Sequence, residues 1–498
     1  MSARCRLLAA ALFALLTCSW SFAADEPLAF HLRFDKAASD QPFTGRVYVV
    51  LTKQETKELP GGFNWFKPEP IFARDVRDWQ PGETLVLDGP CLGFPCKLGD
   101  LPKDTYSIHA VLDFDRGDRH FTTAAGNLYS AALRRELDPK TSGKVELMLD
   151  KVYRARTFAE SETVKLVDIE SKLLSEFHRR PVRLRAGVVL PRSYATQPTK
   201  RYPVLYVVPS FSGSHFSAVT AAAQNPTDVG GVEMLYVVLD PSCRHGHHAF
   251  ADSENNGPCG QALIAELIPH IEKEFRALGV PTARFLTGHS SGGWSSLWLQ
   301  VAYPEFFGGV WSTAPDPVDF RDFQRINLYR AGENMFTDAD GQRRPIARRQ
   351  GKVVLHYQPF SDMEIIMGHG GQLAAFEAAF SARGADGQPK RLWDRTTGKI
   401  DLDVAKSWEK YDIRLLLERH WKTLGPKLAG KLHVYMGAED TFYLEGATVL
   451  LKESLAKLGS DAVIDVIPGK DHGSVLDQAM RERIRKEMAA AYRKHHPE

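Results

Sequence analysis

Between about residue 25 and residue 155, apolar and polar positions alternate in short runs rich in Val, Leu, Tyr and Phe. Clusters of Gly, Pro and Asp, such as Leu59-Pro60-Gly61-Gly62, separate these runs as turns separate strands. A period of two is typical of strands that bury one face. The pattern predicts an all-β, sandwich-like domain over residues 24–155, with strands at Ala29–Phe34, Arg46–Leu51, Thr84–Leu87, Tyr106–Phe114 and Lys144–Leu149.

From about residue 156 onward, the pattern changes to compact apolar runs separated by longer segments. One such segment, Gln261–Phe275, carries apolar residues three or four positions apart, which is typical of a helix. Strands that alternate with helices favour a mostly parallel sheet covered on both faces. Residues 156–498 are therefore predicted to form an α/β domain, with strands at Val204–Val208, Leu235–Leu239, Arg284–Thr287, Gly309–Thr313, Leu432–Met436 and Ala462–Ile467.

Polar loops interrupt this alternation between about residues 316 and 430. Two helices are predicted there, at Gln372–Ser381 and Val404–Trp421, and Gly368-His369-Gly370-Gly371 is interpreted as a turn. Loops held by a rigid scaffold commonly shape a substrate site. Residues 316–430 are therefore predicted to form a lid-like insertion over the carboxyl edge of the sheet.

The overall charge excludes some classes of partner. The 498 residues include 63 Lys and Arg against 61 Asp and Glu, a formal net charge of +2, and 43% of them are hydrophobic. Nucleic-acid binding usually brings a basic excess, and disorder usually brings a large net charge. We therefore expect a globular protein with a buried core and no nucleic-acid partner.

The first residues of the chain have the order of a secretory signal. Arg4 and Arg6 precede the apolar run Leu7–Leu16, and Ser21-Phe22-Ala23 offers small residues for cleavage. The run is short for a transmembrane helix, although an uncleaved anchor is the alternative. A signal peptide over residues 1–23 predicts a secreted or periplasmic protein without stable membrane insertion.

Four cysteines follow this signal: Cys91, Cys96, Cys243 and Cys259. An even number of cysteines in an exported chain predicts disulfides. Three pairings are possible, and closeness along the chain favours Cys91–Cys96 and Cys243–Cys259. Zinc binding is the competing interpretation, but the paired spacings typical of zinc ligands are missing.

The candidate chemistry begins at Gly288-His289-Ser290-Ser291-Gly292, which has the pattern G-x-S-x-G. A predicted strand ends at Thr287, and an apolar helix follows and stops at Pro304. A nucleophile elbow requires this strand–turn–helix context, because the turn is too tight for side chains at the glycine positions. The context predicts Ser290 as a nucleophile, with a glycine-rich helix start as the plainer alternative.

A serine nucleophile needs a base to accept its proton and an acid to orient that base. With this type of elbow, the acid and then the base follow in loops after late strands. His472 follows Ala462–Ile467 and is predicted to be the base, and Asp440 follows Leu432–Met436 and is predicted to be the acid. Glu439 is the alternative acid, although the shorter aspartate is the usual partner.

An oxyanion hole needs two backbone N–H groups aimed at the developing negative charge. Ser291 is predicted to supply one of them. Phe211, in the loop after Val204–Val208, is predicted to supply the other, because Pro209 has no N–H group.

The long polar loop after Leu235–Leu239 holds His245, His247 and His248, with Asp252 near them. These side chains could bind a metal, but loop histidines are more often hydrogen-bonded, and no metal is predicted. Four aromatic residues are candidates for the wall of a substrate pocket, although such residues more often belong to the core: Phe211, Phe250, Trp294 and Tyr443.

At these motifs the chain resembles the putative esterase family of α/β hydrolases, which includes esterase D, enterochelin esterases and feruloyl-esterase-like enzymes. The resemblance spans about residues 180–315 and 430–495 and rests on Tyr202-Pro203-Val204-Leu205-Tyr206, Asn256-Gly257-Pro258, Glu266-Leu267-Ile268-Pro269, Gly288–Gly293, Asp440 and His472. It implies an α/β-hydrolase fold and hydrolysis of a carboxylic ester through an acyl-enzyme, without metal or organic cofactor. Members commonly carry His-Gly after the oxyanion-loop strand, where this chain has Pro209-Ser210.

We therefore expect an exported serine esterase that acts on a small-molecule ester. A peptidase or an acyltransferase could use the same three residues, because the outcome depends on water access and pocket shape. A non-catalytic exported binding protein is an alternative from another class, which the complete set of serine, aspartate and histidine disfavours.

Overall fold

The computed structural model describes residues 26–59, 64–115, 117–122 and 124–497. The predicted signal peptide, residues 1–23, lies outside these residues. Within the described ranges, no helix combines the length and the apolar character that crossing a bilayer requires.

The described residues up to Val152 fold into two β-sheets. In the smaller sheet, Ala29–Arg33 pairs antiparallel with Leu85–Leu87 and parallel with Lys144–Met148. Residues of both sheets share one buried apolar cluster, since strands such as Lys144–Met148 alternate exposed and buried positions. The larger sheet contains, in spatial order, Lys151–Val152, Leu128–Tyr129, Asp104–Asp113, Phe43–Thr52, Ile71–Trp79 and Leu92–Phe94, with Leu133–Leu137 paired to Asp104–Asp113.

Among the residues that the structure describes, the rest of the chain is organised around an eight-stranded sheet with the order β1-β2-β4-β3-β5-β6-β7-β8. The strands β1 to β8 are Val164–Glu170, Arg183–Val189, Val204–Val208, Leu235–Leu239, Arg284–His289, Gly309–Thr313, Leu432–Gly437 and Val463–Ile467. Strand β2 runs antiparallel to β1 and β4. All other neighbours in this sheet pair in parallel.

The inner strands of this sheet are apolar runs because both of their faces are covered. Every residue of β6 is buried, and β3 and β4 each have four of their five residues buried. The observed bounds of β3, β4 and β6 equal the predicted ones. Strands β1 and β2 were missed: β1 lies at the edge of the sheet, and Arg183 and Arg185 of β2 interrupt its apolar pattern.

The predicted helix Gln372–Ser381 is observed as Gln372–Phe380, whereas the predicted Val404–Trp421 is divided into Leu402–Ser407, a 3-10 turn and Ile413–Leu428. The predicted helix Gln261–Phe275 is observed with a π-helical segment, Leu263–Leu267, between two α-helical segments. The α-helices are Lys172–His178, Ser217–Ala222, Cys259–Ala262, Ile268–Glu274, Ser291–Ala302, Tyr357–Met367, Gln372–Phe380, Leu402–Ser407, Ile413–Leu428, Glu445–Lys457 and Gln478–His495. The short 3-10 helices are Leu98–Asp100, Arg192–Tyr194, Pro281–Ala283, Phe320–Asp322, Trp408–Tyr411 and Ser474–Leu476.

Between β6 and β7 the chain forms a hairpin, Pro345–Arg349 with Lys352–His356, and several of these helices. The hairpin residue Arg348 donates a hydrogen bond to the carbonyl oxygen of Asp440 at 3.0 Å. Its guanidinium also pairs with Glu445 at 2.7 Å. This segment therefore braces the loop that follows β7. Three further short hairpins pair Asp228–Val229 with Val232–Glu233, Ser242–Cys243 with Gly246–His247, and Asp252–Ser253 with Gly257–Pro258.

The N-terminal sheets contact this segment through polar groups. Tyr48 Oη donates to the carbonyl oxygen of Met367 at 2.7 Å, and Arg46 donates to that of Ile365 at 2.6 Å. These carbonyls belong to the last turn of Tyr357–Met367, where a helix has no hydrogen-bond donors of its own. Arg244 also donates to Asp115 at 2.8 Å. The two parts of the chain are therefore joined by directional contacts.

The prediction of disulfides is wrong for this structure. Cys91, Cys96, Cys243 and Cys259 are all free thiols. The Sγ atom of Cys259 contacts the backbone oxygen of Asn256 at 3.3 Å, and that of Cys243 contacts the Asn256 side-chain oxygen at 3.7 Å. Both thiols of this loop therefore contact Asn256.

Candidate active site

Ser290 occupies a sharp turn between β5 and the helix Ser291–Ala302. Its backbone has φ 59° and ψ −125°, a conformation that costs energy for a residue with a side chain. Glycine is required on both sides of it: a Cβ at Gly288 would lie 2.1 Å from the carbonyl oxygen of Gly292. A Cβ at Gly292 would lie 2.0 Å from that of Val208. The sequence thus builds a tight strand–turn–helix at the carboxyl end of β5, the geometry that a nucleophile elbow requires.

His472 and Asp440 meet through the loops that follow β8 and β7. His472 Nδ1 lies 2.7 Å from Asp440 Oδ2, and the Asp440 side chain is fully buried. Asp440 Oδ1 accepts the backbone N–H of Phe442 at 2.8 Å, which fixes the carboxylate. Glu439 is exposed and forms no side-chain contact with His472 in the described structure, so the geometry favours Asp440 over Glu439.

Two opposing effects set the protonation of His472. Burial alone would lower the pKa of the imidazole, but the charge of Asp440 and its hydrogen bond outweigh that effect. The carboxylate of Asp316 adds to it, so the pKa of His472 is raised above its usual value. The pair therefore favours a positive charge on His472, as a base that has just accepted a proton requires.

The residue before Ser290, His289, packs against His472. The ring of His289 lies 4.7 Å from the ring of His472, measured between centroids. Among the described hydrogen bonds, none joins Ser290 Oγ to His472. Catalytic hydrogen bonds are often long without substrate and shorten when substrate binds.

The loop after β3 is held against the elbow by polar contacts. Ser210 Oγ donates to the carbonyl oxygen of His289 at 2.8 Å. His247 Nδ1 accepts the N–H of Ala249 at 3.0 Å, so its Nε2 carries the proton and donates to the carbonyl oxygen of Pro209 at 3.0 Å. Burial lowers the pKa of His247 to about 3, which keeps the ring neutral. These contacts fix the backbone on either side of Phe211.

The two predicted oxyanion donors, the N–H groups of Ser291 and Phe211, both lie without a backbone hydrogen-bond acceptor among the described residues. Ser291 is the first residue of its helix, where an N–H group has no intrahelical acceptor. Phe211 lies in the turn after β3, and its N–H group has no hydrogen-bond acceptor among the described residues. Both amides are therefore available to a negative charge.

Ser290 opens into an apolar cavity of about 160 Å³. Five aromatic residues line it, from three parts of the chain: Trp65, Phe211, Phe360, Phe376 and Phe442. The remaining walls are apolar apart from a few polar groups, namely Ser210, Ser290, Asp316, Gln324 and Gln372. A small number of polar groups in an apolar cleft is typical of a small-molecule site.

Asp316 follows β6 and lines this cavity, and its backbone N–H donates to the carbonyl oxygen of Ser290 at 3.3 Å. Its Oδ2 accepts a hydrogen bond from Ser291 Oγ at 2.6 Å and a longer one from Gln372 at 3.4 Å. Gln372 also donates to Ser291 Oγ at 3.1 Å. A buried carboxylate is therefore part of the cavity that Ser290 lines.

The comparisons with known proteins are consistent with this geometry. The family model described as Putative esterase matches residues 181–472, more than half of the chain. The chain belongs to the Putative esterase family. Membership supports ester hydrolysis and implies an α/β-hydrolase fold. Among curated proteins, none matches the sequence.

Solved structures of hydrolases resemble this family member only distantly. A ferulic acid esterase is 14% identical, with a TM-score of 0.42 over 66% of this chain and 98% of its own. An S-formylglutathione hydrolase from Agrobacterium tumefaciens is 14% identical, with a TM-score of 0.37 over 66% of this chain and 94% of its own. FphF, a fluorophosphonate-binding serine hydrolase from Staphylococcus aureus, is 12% identical, with a TM-score of 0.39 over 65% of this chain and 98% of its own.

Some pocket residues of this esterase-family chain were not predicted from its sequence. Trp65, Asp316 and Gln372 lie far from the motif around Ser290 along the chain, and no local pattern marks them. Of the four aromatic candidates, Phe211 lines the cavity. The other three, Phe250, Trp294 and Tyr443, are buried outside it.

In the loop that carries His245, His247 and His248, the polar side chains hold the backbone through hydrogen bonds. Both ring nitrogens of His247 are engaged with backbone groups. Asp252 accepts the N–H groups of Gly260 and Gln261 and the hydroxyl of Tyr303. The part of the chain that the structure describes contains no cluster of His, Cys, Asp and Glu suited to a metal ion.

Proposed function

We propose that this protein is a serine ester hydrolase in which Ser290 is the nucleophile, His472 the base and Asp440 the acid. The observation that carries the proposal is the buried Asp440–His472 hydrogen bond of 2.7 Å beside a strained serine elbow. A serine, a histidine and an aspartate arranged in this way are the parts of a catalytic triad.

The mechanism follows from these parts. His472 takes the proton of Ser290 Oγ as that oxygen attacks the ester carbonyl, and a C–O bond forms. The N–H groups of Phe211 and Ser291 stabilise the oxyanion of the tetrahedral intermediate. Collapse breaks the ester C–O bond, and His472 gives its proton to the departing alcohol. Water, activated by His472, then releases the acid and restores Ser290.

We assign the N-terminal residues 24–155 to a sandwich-like domain and residues 316–430 to a lid-like insertion, both of which shape the pocket. Trp65 from the first and Phe360 from the second line the cavity that contains Ser290, which supports this assignment. We also infer export, because residues 1–23 have the pattern of a signal peptide. Fractionation of cells that produce the full chain tests this location.

Hydrolysis of short-chain p-nitrophenyl esters tests the function directly. We expect the wild type to turn over, and Ser290→Ala to lose activity by several orders of magnitude, on the scale of about 10⁶ seen for triad serines. Ser217→Ala is a matched control, because Ser217 is an exposed serine of the same domain. Equal activity of Ser290→Ala and wild type, both folded, would contradict the assignment.

A fluorophosphonate label, located by mass spectrometry, tests the nucleophile without a chosen substrate. The label is expected on Ser290 and absent from Ser290→Ala. Analysis of products with water, alcohols or peptides present then separates an esterase from an acyltransferase or a peptidase, which the same triad would serve.

A further inference from the structure

Asp316 is a buried carboxylate with an unused oxygen. The residue is 5% exposed and lines the same cavity as Ser290. Its Oδ2 accepts from Ser291 and Gln372, whereas its Oδ1 accepts no hydrogen bond from any described residue. Asp316 also forms no ion pair with a described Lys, Arg or His side chain. Among the described residues, the charge of His472 acts on Asp316 without an ion-pair contact, so Oδ1 remains open to a cationic ligand.

A negative charge is costly inside an apolar cavity. Burial raises the pKa of Asp316 to about 6, because the apolar surroundings disfavour the charged carboxylate. Asp440 adds a second carboxylate nearby, and the charge of His472 acts on both carboxylates. A cationic group in the cavity would offset the excess of negative charge.

The walls of the cavity are compatible with a cation. Among the described lining residues, Asp316 is the only ionisable one. The faces of aromatic rings attract ammonium groups, and Trp65 and four phenylalanines line this cavity. The volume of about 160 Å³ also suits a ring-sized apolar group, since an engineered cavity of about 150 Å³ binds benzene.

We propose that the substrate is an ester that carries an ammonium group close to the scissile carbonyl, bound by Asp316, with an apolar group in the aromatic cavity. This inference rests on the proposed esterase function, because it places the ammonium group relative to Ser290. The positive charge of the ammonium group pairs with the carboxylate of Asp316, and a primary ammonium also donates an N–H to Asp316 Oδ1. Asp316 is then a specificity-determining residue. Esters of hydrophobic α-amino acids have the required groups, and so do choline esters of apolar acids.

Two matched pairs of esters test the proposal and locate the ammonium group. Phenylalanine methyl ester and phenylpropionic acid methyl ester differ in an ammonium on the acyl side. The choline ester of phenylpropionic acid and its neutral dimethylbutyl ester differ in a cation on the alcohol side. We expect kcat/KM to favour the cationic member of at least one pair by about tenfold or more, the size of a charge-assisted hydrogen bond.

The variant Asp316→Asn keeps the shape and the hydrogen bond to Ser291 but removes the charge. We expect the cationic-to-neutral ratio of kcat/KM to fall to about one in this variant. The ratio is the readout because the absolute rates change whenever a residue of the site changes. Asp403→Asn, an exposed aspartate on the helix Leu402–Ser407, is the control and should keep the wild-type ratio.

Binding separates this proposal from the hydrolytic one. Calorimetric titration of Ser290→Ala with phenylalanine methyl ester and with the choline ester should show tighter binding than with their neutral partners, even if no ester is hydrolysed. A wild type that hydrolyses esters without preferring a cation in either pair overturns the inference and leaves the esterase function standing. A preference that survives in Asp316→Asn also overturns it.

Discussion

The indole ring of Trp65 lies edge-on to the ring of Phe360, with their centroids 5.0 Å apart. Trp65 follows the first strands of the N-terminal sheets, and Phe360 belongs to the helix Tyr357–Met367. The ring of Trp65 also packs near those of Phe211 and Phe442, with centroid separations of 5.9 Å and 6.2 Å. A residue from the N-terminal part of the chain therefore forms a wall of the cavity that contains Ser290.

Replacement of Trp65 by alanine is expected to weaken hydrolysis of esters with a ring in the acyl group. The lost aromatic contact is worth about 1 kcal/mol or more, which predicts a fall of kcat/KM by about fivefold or more. Acetate esters, which do not reach the wall, should change less. Phe66→Ala is the matched control, because Phe66 belongs to the same segment without lining the cavity. Equal losses for both acyl groups would contradict a specific role of Trp65.

The parts of this site that the sequence predicts are those set by local pattern. The apolar runs of β3, β4 and β6 and the glycines around Ser290 need no distant residue to be recognised. The loops that carry Asp440 and His472 follow strands with the same signature, and the structure brings these two side chains together. Their catalytic roles rest on the proposal above.

The cavity depends on distant residues, and its residues were mostly missed for that reason. Trp65 and Asp316 are about 250 positions apart along the chain, and only the fold brings them to one cavity. Proximity along the chain also predicted a Cys243–Cys259 disulfide, whereas the structure has two free thiols that both contact Asn256. Tertiary packing decides both cases, and periodicity carries no information about it.

The acid of the proposed triad can be tested within a single loop. Asp440→Asn is expected to lower kcat by about 10³ to 10⁴, because the neutral amide no longer holds His472 in the tautomer that accepts a proton from Ser290. Glu439→Gln should leave kcat within about twofold, since Glu439 is exposed and does not contact His472. Steady-state kinetics on one p-nitrophenyl ester gives both values. A larger loss in Glu439→Gln than in Asp440→Asn would reverse the assignment.

The elbow can be tested through stability. Gly292→Ala puts a Cβ about 2.0 Å from the carbonyl oxygen of Val208, so β3 and the helix Ser291–Ala302 must separate. We expect a loss of more than about 3 kcal/mol in the free energy of unfolding, measured by urea denaturation. Gly89→Ala is the control, because no atom lies within 4 Å of the added Cβ. A Gly292→Ala protein as stable as wild type would show that the turn is looser than described.

The pH profile tests the electrostatic link between Asp316 and His472. His472 must be neutral to take the proton of Ser290, and its pKa is raised by Asp440 and Asp316 against the effect of burial. The kcat/KM value for a neutral ester should therefore be constant at alkaline pH and fall about tenfold per pH unit below that raised pKa. Asp316→Asn removes a negative charge that favours the imidazolium, so the pKa of His472 should fall.

The acidic limb of the profile should then move to lower pH in Asp316→Asn, and this variant should retain a larger share of its maximal activity in mild acid. Rates measured between about pH 5 and about pH 9 show the shift, with Asp403→Asn expected to follow the wild type. A limb that stays in place would mean that Asp316 has no electrostatic effect on the base. In that case the negative charge of Asp316 would act on the substrate alone.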